Sequence, residues 1–487
     1  MNDSPGGSLV HGLLDAAAAD AAGSSAVRDH TGVWTYAELA AWSRAVAAVL
    51  ARRGVGRTDR VVVQLPTDRA LVALFYGTSR LGAVFVPINP AMKKFHFDSV
   101  VANAEPVLVV TAADFGPLWS EVEEAFHNEE SAANDVYEDD IAVLVYTSGS
   151  TAAPKGVIGP HRQVTFATHA IQAVLGYRRD DVVFCRFPMS WDYGLYKVLL
   201  STLGRSEIVL ADAESDLRLL KRMREVGATI VPIVPSLATM IAKLAERETE
   251  TPAPVRLFTN TGAALPDATI AQLRKAFPGT KVVRQFGQTE CKRITIMPPE
   301  EDDQRPGASG LPLPGTSVLI LAADGSELPA GDIGEIVATG PHVMPGYWRT
   351  PEVSARAFRR DEKSGELHLH TGDYGRLDAD GYLYFEGRRD DMFKRKGIRM
   401  STLEIEAAAM DIPGVRAAGA IPPSETRDLA ICVETELAPT TVLRELAKRL
   451  EPQKVPSLCH VVEEFPLTAH GKNATKELAL LVEGARK

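Results

Sequence analysis

Apolar residues from Gly32 to about residue 290 follow two alternating spacings. In Ala37–Arg53 and Ala70–Leu81 they recur at helical spacing, and a glycine closes each segment. Short continuous apolar runs, typical of buried strands, occur at Arg60–Leu65, Ala83–Ile88, Ile141–Tyr146, Val182–Phe187, Ile208–Leu210, Thr229–Val234 and Val282–Gln285. Strands that alternate with helices predict an α/β fold, with parallel-type sheets covered by helices.

The pattern changes after residue 305. Three short β-like runs lie there, at Ser317–Leu321, Ile333–Thr339 and Tyr382–Glu386. Turn-forming Pro-Gly, Asp-Gly and Gly-Pro pairs separate them, which indicates a small sheet or barrel-like subdomain. Beyond Arg388 a compact α+β segment is predicted, with helices at Ser401–Met410 and Thr440–Leu450. A charged linker after Arg388 divides the chain into an expected N-terminal domain of residues 1–389 and a small C-terminal domain of residues 390–487.

Composition describes an ordinary globular protein of two or three packed units. The chain has 487 residues, is 45% hydrophobic and 24% charged, and carries a net charge of −10. An acidic chain is a poor partner for nucleic acid, although a few local cations suffice for a nucleotide. The four cysteines are Cys185, Cys291, Cys432 and Cys459, which form no C-x-x-C pair and predict reduced thiols. With no secretory signal and no apolar run near ~20 residues, we expect a soluble cytoplasmic protein with no membrane partner.

The strand Ile141–Tyr146 runs into a loop rich in hydroxyl groups and glycine. The loop residues are Thr147, Ser148, Gly149, Ser150 and Thr151. Short hydroxyls and accessible backbone N–H groups are the groups that wrap a phosphate chain. Lys155 adds a cation that reaches the outer phosphates. The loop does not fit the Walker pattern, because Lys155 is followed by Gly156, and on its own it also fits an ordinary polar connection.

Later segments carry other groups that a nucleotide site needs. One run comprises Gln285, Phe286, Gly287, Gln288, Thr289 and Glu290. Phe286 is suited to stack on a base, and Glu290 to hold Mg2+ on a triphosphate. Asp373 is suited to accept the ribose hydroxyls, and Arg388 to donate to the ribose or a phosphate. Lys472 lies on a glycine-hinged loop. Taken singly, each also fits a turn or a solvated surface residue.

In this order, the motifs resemble the superfamily of adenylate-forming enzymes. That superfamily includes acyl-CoA synthetases, peptide-synthetase adenylation domains and firefly-type luciferases. Tyr146–Gly156 is similar to its phosphate loop, Phe286–Glu290 to its aromatic-Gly-x-Thr-Glu motif, Thr371–Asp373 to its ribose motif, Gly387–Arg399 to its hinge and crossover segment, and Gly471-Lys472 to its C-terminal lysine motif. The resemblance runs from Trp34 to Leu478.

The resemblance implies a two-step reaction that uses ATP and Mg2+. The carboxylate of an acid attacks the α-phosphate and releases pyrophosphate, and a thiol then displaces AMP to give a thioester. Lys472 is implied to stabilise the charge that develops in the first step, and Thr147 and Glu290 to manage the metal and the leaving pyrophosphate. The C-terminal domain is implied to rotate about Asp390, which brings Gly397 to the thiol channel.

One residue departs from the superfamily pattern, and the acceptor has two alternatives. Ala152 stands where the phosphate loop usually has glycine, so its methyl group disfavours positive φ and stiffens the loop. No carrier-protein segment follows Lys472 and no condensation domain precedes residue 1, so we expect an enzyme that stands alone. Its acceptor is then free CoA, which we favour, or the phosphopantetheine of a separate carrier protein. The oligomeric state is not predicted.

The substrate pocket is expected at one set of residues, Trp191, Asp192, Tyr193, Asn260, Gly262, Ala263 and Arg293. Asp192 aligns with the aspartate that pairs the substrate ammonium in amino-acid-activating members, so an amino acid, including a β-amino acid, is an alternative substrate. The competing interpretation, to which we give equal weight, is that Asp192 bonds to local backbone or caps the following helix. Lys292 or Arg293 would neutralise a second substrate carboxylate or, as we slightly favour, pair with nearby acids as surface cations do.

Two further functions compete with the ligase. The first is a luciferase-like oxygenase that uses the same adenylate, against which Gly397 and Lys472 favour a thiol acceptor. The second is a nucleotide-binding regulatory protein, which Ala152 supports and the intact Glu290, Asp373 and Lys472 oppose. The leading prediction is an AMP-forming acid–thiol ligase of the acyl-CoA synthetase type, and a stand-alone amino acid adenylation enzyme is the alternative.

Overall fold

The computed structural model describes residues 9–147, 154–211, 216–388, 392–395, 398–424, 427–450, 452, 454–466 and 475–484. Several residues named above therefore lie outside the described residues: Ser148, Gly149, Ser150, Thr151, Ala152, Asp390, Gly397 and Lys472. Their expected roles stay predictions.

The described strands are β1 Ser25–Asp29, β2 Gly32–Thr35, β3 Arg60–Val63, β4 Val84–Pro87, β5 Leu108–Val110, β6 Ile141–Thr147, β7 Lys155–Pro160, β8 Val182–Cys185, β9 Glu207–Leu210, β10 Ile230–Ile233, β11 Leu257–Asn260, β12 Lys281–Phe286, β13 Thr295–Ile296, β14 Leu311–Pro312, β15 Ser317–Leu321, β16 Gly334–Thr339, β17 Phe358–Arg360, β18 Leu367–Leu377, β19 Leu383–Arg388, β20 Met392–Arg395, β21 Ile398–Ser401, β22 Val415–Ile421, β23 Ala430–Thr435 and β24 Leu458–Val462. The described α-helices are α1 Val10–Ala21, α2 Tyr36–Arg52, α3 Arg69–Arg80, α4 Lys94–Ala104, α5 Ala112–His127, α6 His161–Leu175, α7 Asp192–Gly204, α8 Leu219–Glu225, α9 Pro235–Ala245, α10 Asp267–Ala276, α11 Pro351–Ala357, α12 Thr402–Met410, α13 Pro439–Leu446 and α14 Thr475–Gly484.

Two mixed sheets, both parallel at their centre, form the N-terminal body. The larger has nine strands in the order β14-β13-β12-β11-β10-β8-β9-β1-β2, and all pairings from β12 to β1 are parallel. The smaller has the order β5-β3-β4-β6-β7, with β6 and β7 antiparallel. Parallel neighbours need crossover connections, and helices supply them here. Within the part of the chain that the structure describes, these sheets carry the predicted α/β pattern.

Local sequence explains where α2 and α3 begin. At α2, the Thr35 side chain accepts from the backbone of Glu38, whose carboxylate accepts in return from the Thr35 backbone. This reciprocal pair satisfies two backbone donors that the helix leaves open. At α3, the Asp68 carboxylate accepts from the Leu71 N–H at 2.8 Å. Both helices then bury an apolar face against the sheet core, which includes Val46 and Phe75.

Residues 317–388 build a separate antiparallel sheet. Its order is β15-β16-β18-β17, and β19 adds to β18. The sheet has its own core, centred on buried residues such as Ile336, Leu369 and Leu383. Because β18 contains the Thr371–Asp373 motif, this sheet carries the predicted ribose-binding residues.

The described C-terminal residues combine helices with a small sheet. β20 and β21 form a two-stranded hairpin, and β22, β23 and β24 form a three-stranded sheet. Helices α12 and α13 pack on this sheet around Ile405, Val433 and Leu446. The four cysteines are buried free thiols, as the sequence predicts. No helix in the described part of the chain is both long enough and apolar enough to cross a membrane.

Candidate active site

The predicted phosphate loop lies between the antiparallel strands β6 and β7. Thr147 ends β6 and is paired with Lys155, the first residue of β7. A side chain at Gly156 would meet the Tyr146 ring at 2.9 Å, so the close approach of the strands requires glycine. The Trp348 N–H donates to the Gly156 carbonyl at 2.7 Å, which fixes the second strand from outside the hairpin.

Tyr347 links this hairpin to Glu290. The Lys155 Nζ atom lies 5.5 Å from the centroid of the Tyr347 ring. The Tyr347 hydroxyl donates to Glu290 Oε1 at 2.6 Å. Burial and the neighbouring carboxylate raise the pKa of Tyr347 above its usual range, so the hydroxyl remains a donor at neutral pH. Tyr347 therefore contacts both Lys155 and Glu290, which are a cation and a carboxylate from distant parts of the chain.

Gln288 links the same segment to the ribose motif. Its amide Nε2 donates to the Thr371 carbonyl at 3.2 Å and to Asp373 Oδ2 at 3.3 Å. Asp373 is buried, and its other carboxylate oxygen lies 3.4 Å from Arg388 Nε. The strand register explains this contact, because Asp373 on β18 is the partner of Arg388 on β19. Phe286, at the end of β12, packs tilted against Phe385 at 5.1 Å between ring centroids.

Asp192 begins α7 and faces the same segment from the other side. Arg293 Nη1 lies 3.5 Å from Asp192 Oδ2, and the Thr289 hydroxyl lies 3.4 Å from Oδ1. Arg293 is also held by Gln285, whose Oε1 accepts from its Nε at 2.8 Å. The N-cap position of α7 is occupied by Trp191, whose side chain makes no capping hydrogen bond, so Asp192 does not cap the helix. Its carboxylate instead takes part in a partly buried ion pair.

The interpretation of Lys292 and Arg293 as cations at the surface is wrong, although Arg293 does pair with a nearby acid, Asp192. Lys292 is 1% exposed and Arg293 is 5% exposed. The backbone of Lys292 has φ of 69°, a left-handed conformation that is strained for lysine. A side chain at Gly287 would come within 2.5 Å of the Lys292 carbonyl, so this tight turn also requires glycine there. Both cations lie in the turn after Glu290, where the chain reverses so that β13 pairs antiparallel with β12.

Lys292 has no hydrogen-bond partner for its ammonium group among the described residues. Its Nζ lies 5.6 Å from the centroid of the Tyr196 ring. Burial lowers the pKa of Lys292, since an ammonium loses its hydration there. Four of the other buried polar atoms that lack a partner in the described chain lie on or next to the neighbouring elements: Ser190 Oγ, Tyr196 Oη, Asn260 Oδ1 and Gln285 Nε2. Unsatisfied polar atoms are rare in folded proteins, so this group of atoms is chemically suited to a polar ligand.

The remaining predicted pocket residues border this wall. Asn260 ends β11, and its amide donates to the Ala263 carbonyl at 2.9 Å. Gly262 between them has φ of 87°, which the turn at the end of the strand requires. Tyr193 on α7 packs against Arg293, with the guanidinium carbon 4.9 Å from the ring centroid. Asn260 lies at the end of a strand, Tyr193 at the start of a helix, and Arg293 in the turn between β12 and β13.

The segment of residues 285–293 therefore connects three described parts of the candidate site. It reaches the phosphate hairpin through Tyr347, the ribose motif through Gln288, and the Asp192 wall through Thr289 and Arg293. Sequence reasoning missed Tyr347, although its position between a glycine and a tryptophan after a strand was a signal to examine. It also gave no role to Lys197, a buried lysine five residues after Asp192.

Comparison with known proteins identifies related sequences. Residues 14–348 match a family described as AMP-binding enzyme. The 4-coumarate–CoA ligase 1 of Solanum tuberosum is 30% identical over 423 residues, which cover 80% of this chain and 77% of the ligase. One of the plipastatin synthase subunits of Bacillus subtilis (strain 168) is 29% identical over 492 residues, or 96% of this chain. The chain spans only 19% of the length of that synthase polypeptide.

Solved structures are similar as well. A complex of VinN with L-aspartate is 51% identical, with a TM-score of 0.72, over 78% of this chain and 98% of VinN. A complex of VinN with 3-methylaspartate is 47% identical, with a TM-score of 0.66, over 77% of this chain and 98% of VinN. ATP-bound MatB from Rhodopseudomonas palustris is 26% identical, with a TM-score of 0.86, over 99% of this chain and 100% of MatB. The predicted α/β fold class is confirmed by this likeness.

Proposed function

The chain belongs to the AMP-binding enzymes of the adenylate-forming superfamily, and we propose that it activates an amino acid that carries a second carboxylate. One carboxylate oxygen of the amino acid attacks the α-phosphorus of ATP. The bond from that phosphorus to the bridging oxygen breaks, and pyrophosphate leaves. A thiol sulfur then attacks the acyl carbon of the adenylate, which forms a thioester and releases AMP.

A partly buried carboxylate and a buried ammonium on one wall carry this proposal. Asp192 presents a carboxylate that suits an ammonium, and Lys292 presents an ammonium that has no partner among the described residues. A buried charge without a counter-charge is unfavourable, so a ligand that supplies one is bound preferentially. An amino acid with two carboxylates supplies the ammonium for Asp192, a carboxylate for Lys292 and a second carboxylate for ATP. The similarity to VinN, solved with L-aspartate and 3-methylaspartate, supports this substrate class.

The nucleotide would occupy the opposite side of the 285–293 segment. We assign binding of the ribose hydroxyls to Asp373, whose carboxylate Gln288 holds in place. We assign stacking of the base to Phe286. Mg2+ enters bound to ATP as part of the substrate, and the Glu290 oxygen that Tyr347 does not contact is suited to bind it. Lys155 would reach the outer phosphates. Lys472 and the rotation of residues 390–487 against residues 1–389 remain part of this proposal.

Two thiol acceptors are candidates for the second step, and CoA is one of them. The similarity to 4-coumarate–CoA ligase 1, which covers 80% of this chain, favours it. The phosphopantetheine of a carrier protein is the alternative that the amino acid substrate favours. Both acceptors present the same thiol, so the first half-reaction is common to both.

The first experiment is carboxylate-dependent exchange between ATP and labelled pyrophosphate. The panel contains L-aspartate, 3-methylaspartate, β-alanine, succinate, a fatty acid and an aryl acid. We expect exchange with the two amino dicarboxylates above all the others. CoA or a phosphopantetheinylated carrier protein is then added, and the product mass identifies the acceptor. Exchange that is strongest with the fatty or aryl acid would refute the amino acid assignment while leaving the ligase intact.

Asp192→Asn tests the ammonium partner directly. Leaving an ammonium without its buried carboxylate costs about 2–5 kcal/mol, so we expect kcat/KM for L-aspartate to fall by a factor of at least about 30. The matched control is Asp267→Asn, because Asp267 also begins a helix but its side chain is 79% exposed. If both variants keep wild-type exchange with L-aspartate, Asp192 does not bind the substrate.

A further inference from the structure

Lys197 is a buried lysine directly behind the substrate wall. It lies on α7, the helix that begins with Asp192, and it is 1% exposed. No carboxylate lies within 4 Å of its Nζ among the described residues, so it takes part in no described ion pair. Lysine is almost never fully buried without a partner. Its position therefore calls for a functional explanation.

Hydroxyl groups and an aromatic ring surround the amine instead. Lys197 Nζ lies 3.2 Å from the Tyr177 hydroxyl and 3.4 Å from Thr259 Oγ1. The Tyr193 hydroxyl donates to the Thr259 carbonyl and lies 2.9 Å from the same Oγ1. Thr259 precedes Asn260 on β11. The network therefore ties α7 to the strand end that borders the proposed pocket.

Lys197 and Arg293 contact the same ring. Lys197 Nζ lies 4.6 Å from the Tyr193 centroid, and the Arg293 guanidinium carbon lies 4.9 Å from it. Arg293 is in turn 3.5 Å from the Asp192 carboxylate. A positive charge on Lys197 would repel Arg293 toward Asp192 and would oppose any further cation at that carboxylate.

The surroundings favour the uncharged form of the amine. Burial, and then the charge of Arg293, lower the pKa of Lys197 to about 7. The titratable or charged groups that face it are Arg293, Cys185, Asp192, Tyr177 and Tyr193. Burial raises the pKa values of Cys185, Tyr177 and Tyr193, so these three are neutral near pH 7.

We propose that Lys197 is a positioning residue whose amine, in its uncharged form, leaves the Asp192 carboxylate available to the substrate ammonium. The inference rests on the proposed amino acid substrate. Lys197 touches neither ATP nor the reacting atoms, and it acts through Tyr193 and Arg293. Acidification protonates Lys197, strengthens the internal Arg293–Asp192 pair and weakens binding of the amino acid. The binding of a dicarboxylate that lacks an ammonium is not weakened.

The test measures exchange kinetics between pH 6 and pH 8 in the full-length protein. We expect KM for L-aspartate to fall about threefold to tenfold as pH rises, from a single charge acting at an effective dielectric constant near 20. KM for ATP should stay constant, and KM for succinate should not fall. Lys197→Met and Lys197→Gln should both remove the pH dependence of KM for L-aspartate. Lys221→Gln, a substitution at an exposed helical lysine, should leave it unchanged.

A second measurement works even if no substrate is found. Lys197 is protonated in the unfolded chain up to a pH near 10.5 and in the folded protein only below about 7. The unfolded state therefore binds more protons between these values, and the stability of the wild type rises with pH there. The excess stability of Lys197→Met over the wild type should accordingly narrow as pH rises from 7 to 9.

The possible results distinguish failure of the proposed function from failure of the positioning role of Lys197. Absence of exchange with every acid would overturn the proposed function, and the stability comparison would still test the charge state of Lys197. Unchanged pH dependence of KM in both variants would overturn the positioning role. Equal loss of kcat/KM for ATP and for L-aspartate at all pH values, without a change in pH dependence, would reduce Lys197 to a purely structural residue.

Discussion

Replacing Lys292 by methionine separates the stability of this protein from its proposed substrate recognition. The substitution removes the ammonium group and keeps an unbranched side chain of similar length. Lys292 is 1% exposed, and its Nζ has no hydrogen-bond partner among the described residues. The two effects of the substitution therefore have opposite signs.

The unliganded protein should become more stable. A buried donor without a partner costs about 1–3 kcal/mol, and methionine carries no such donor. The strained φ of 69° at this position is the same for both side chains, so its contribution cancels. We expect the free energy of unfolding in the absence of ligand to rise by about 1–3 kcal/mol. Such a gain is typical where a site is kept polar for its ligand.

Activity with an amino dicarboxylate should fall. Loss of one partner from a buried ion pair costs about 2–5 kcal/mol, which corresponds to a factor of roughly 30 to 5,000 in kcat/KM. β-Alanine has no second carboxylate for Lys292, so exchange with it should change by less than about threefold. The ratio of the two kcat/KM values therefore isolates the contact with the second carboxylate.

The assay pairs urea unfolding of the ligand-free proteins with pyrophosphate exchange on both substrates. Lys243→Met is the control, because Lys243 is an exposed lysine on α9 and should change neither quantity. A drop in unfolding free energy for Lys292→Met would mean that the ammonium has a structural partner. An equal loss of exchange with L-aspartate and β-alanine would mean that Lys292 does not discriminate between them.

Two further variants test the nucleotide side of the site. Tyr347→Phe removes the hydrogen bond to Glu290. Because a hydrogen bond to a charged group contributes about 1.5–3 kcal/mol, kcat for exchange should fall roughly 10- to 150-fold at saturating acid. An unchanged kcat would show that Glu290 needs no hydrogen bond from Tyr347. Asp373→Asn should raise KM for ATP at least about tenfold while leaving KM for the amino acid within about twofold, because Asp373 is assigned to the ribose alone. A rise in both KM values would instead indicate a wider disturbance of β18.

The N-terminal sheets were predictable where a segment's own pattern determined its structure. The predicted helix Ala70–Leu81 is observed as α3, Arg69–Arg80, because an aspartate cap and a continuous apolar face define it. Strand β7, Lys155–Pro160, was missed because Lys-Gly-Val-Ile-Gly-Pro has no alternating pattern. Its extended structure comes from pairing with β6 and from the Trp348 N–H, and neither can be seen in a local window.

Motif order predicted which parts of the chain meet at the site, and tertiary burial determined what they do there. The predicted residues Lys155, Glu290 and Asp373 are connected through the 285–293 segment. The burial of Lys292 could not be predicted, because a Cys-Lys-Arg sequence in isolation is typical of a surface. Only the folded turn removes its ammonium from water, and that desolvation gives the residue its proposed role.

Strand β1 lies one strand in from the edge of the nine-stranded sheet and pairs in parallel with β9, with Val27 opposite Ile208. On the ribosome, the first hairpin leaves the exit tunnel long before its neighbour exists. At about 5–20 residues per second, the roughly 180 intervening residues take some 10–40 seconds to emerge. During that interval the unpaired edge is open to other nascent chains. A chaperone that covers the first 60 or so residues should therefore increase the yield of folded protein more than one that acts after release.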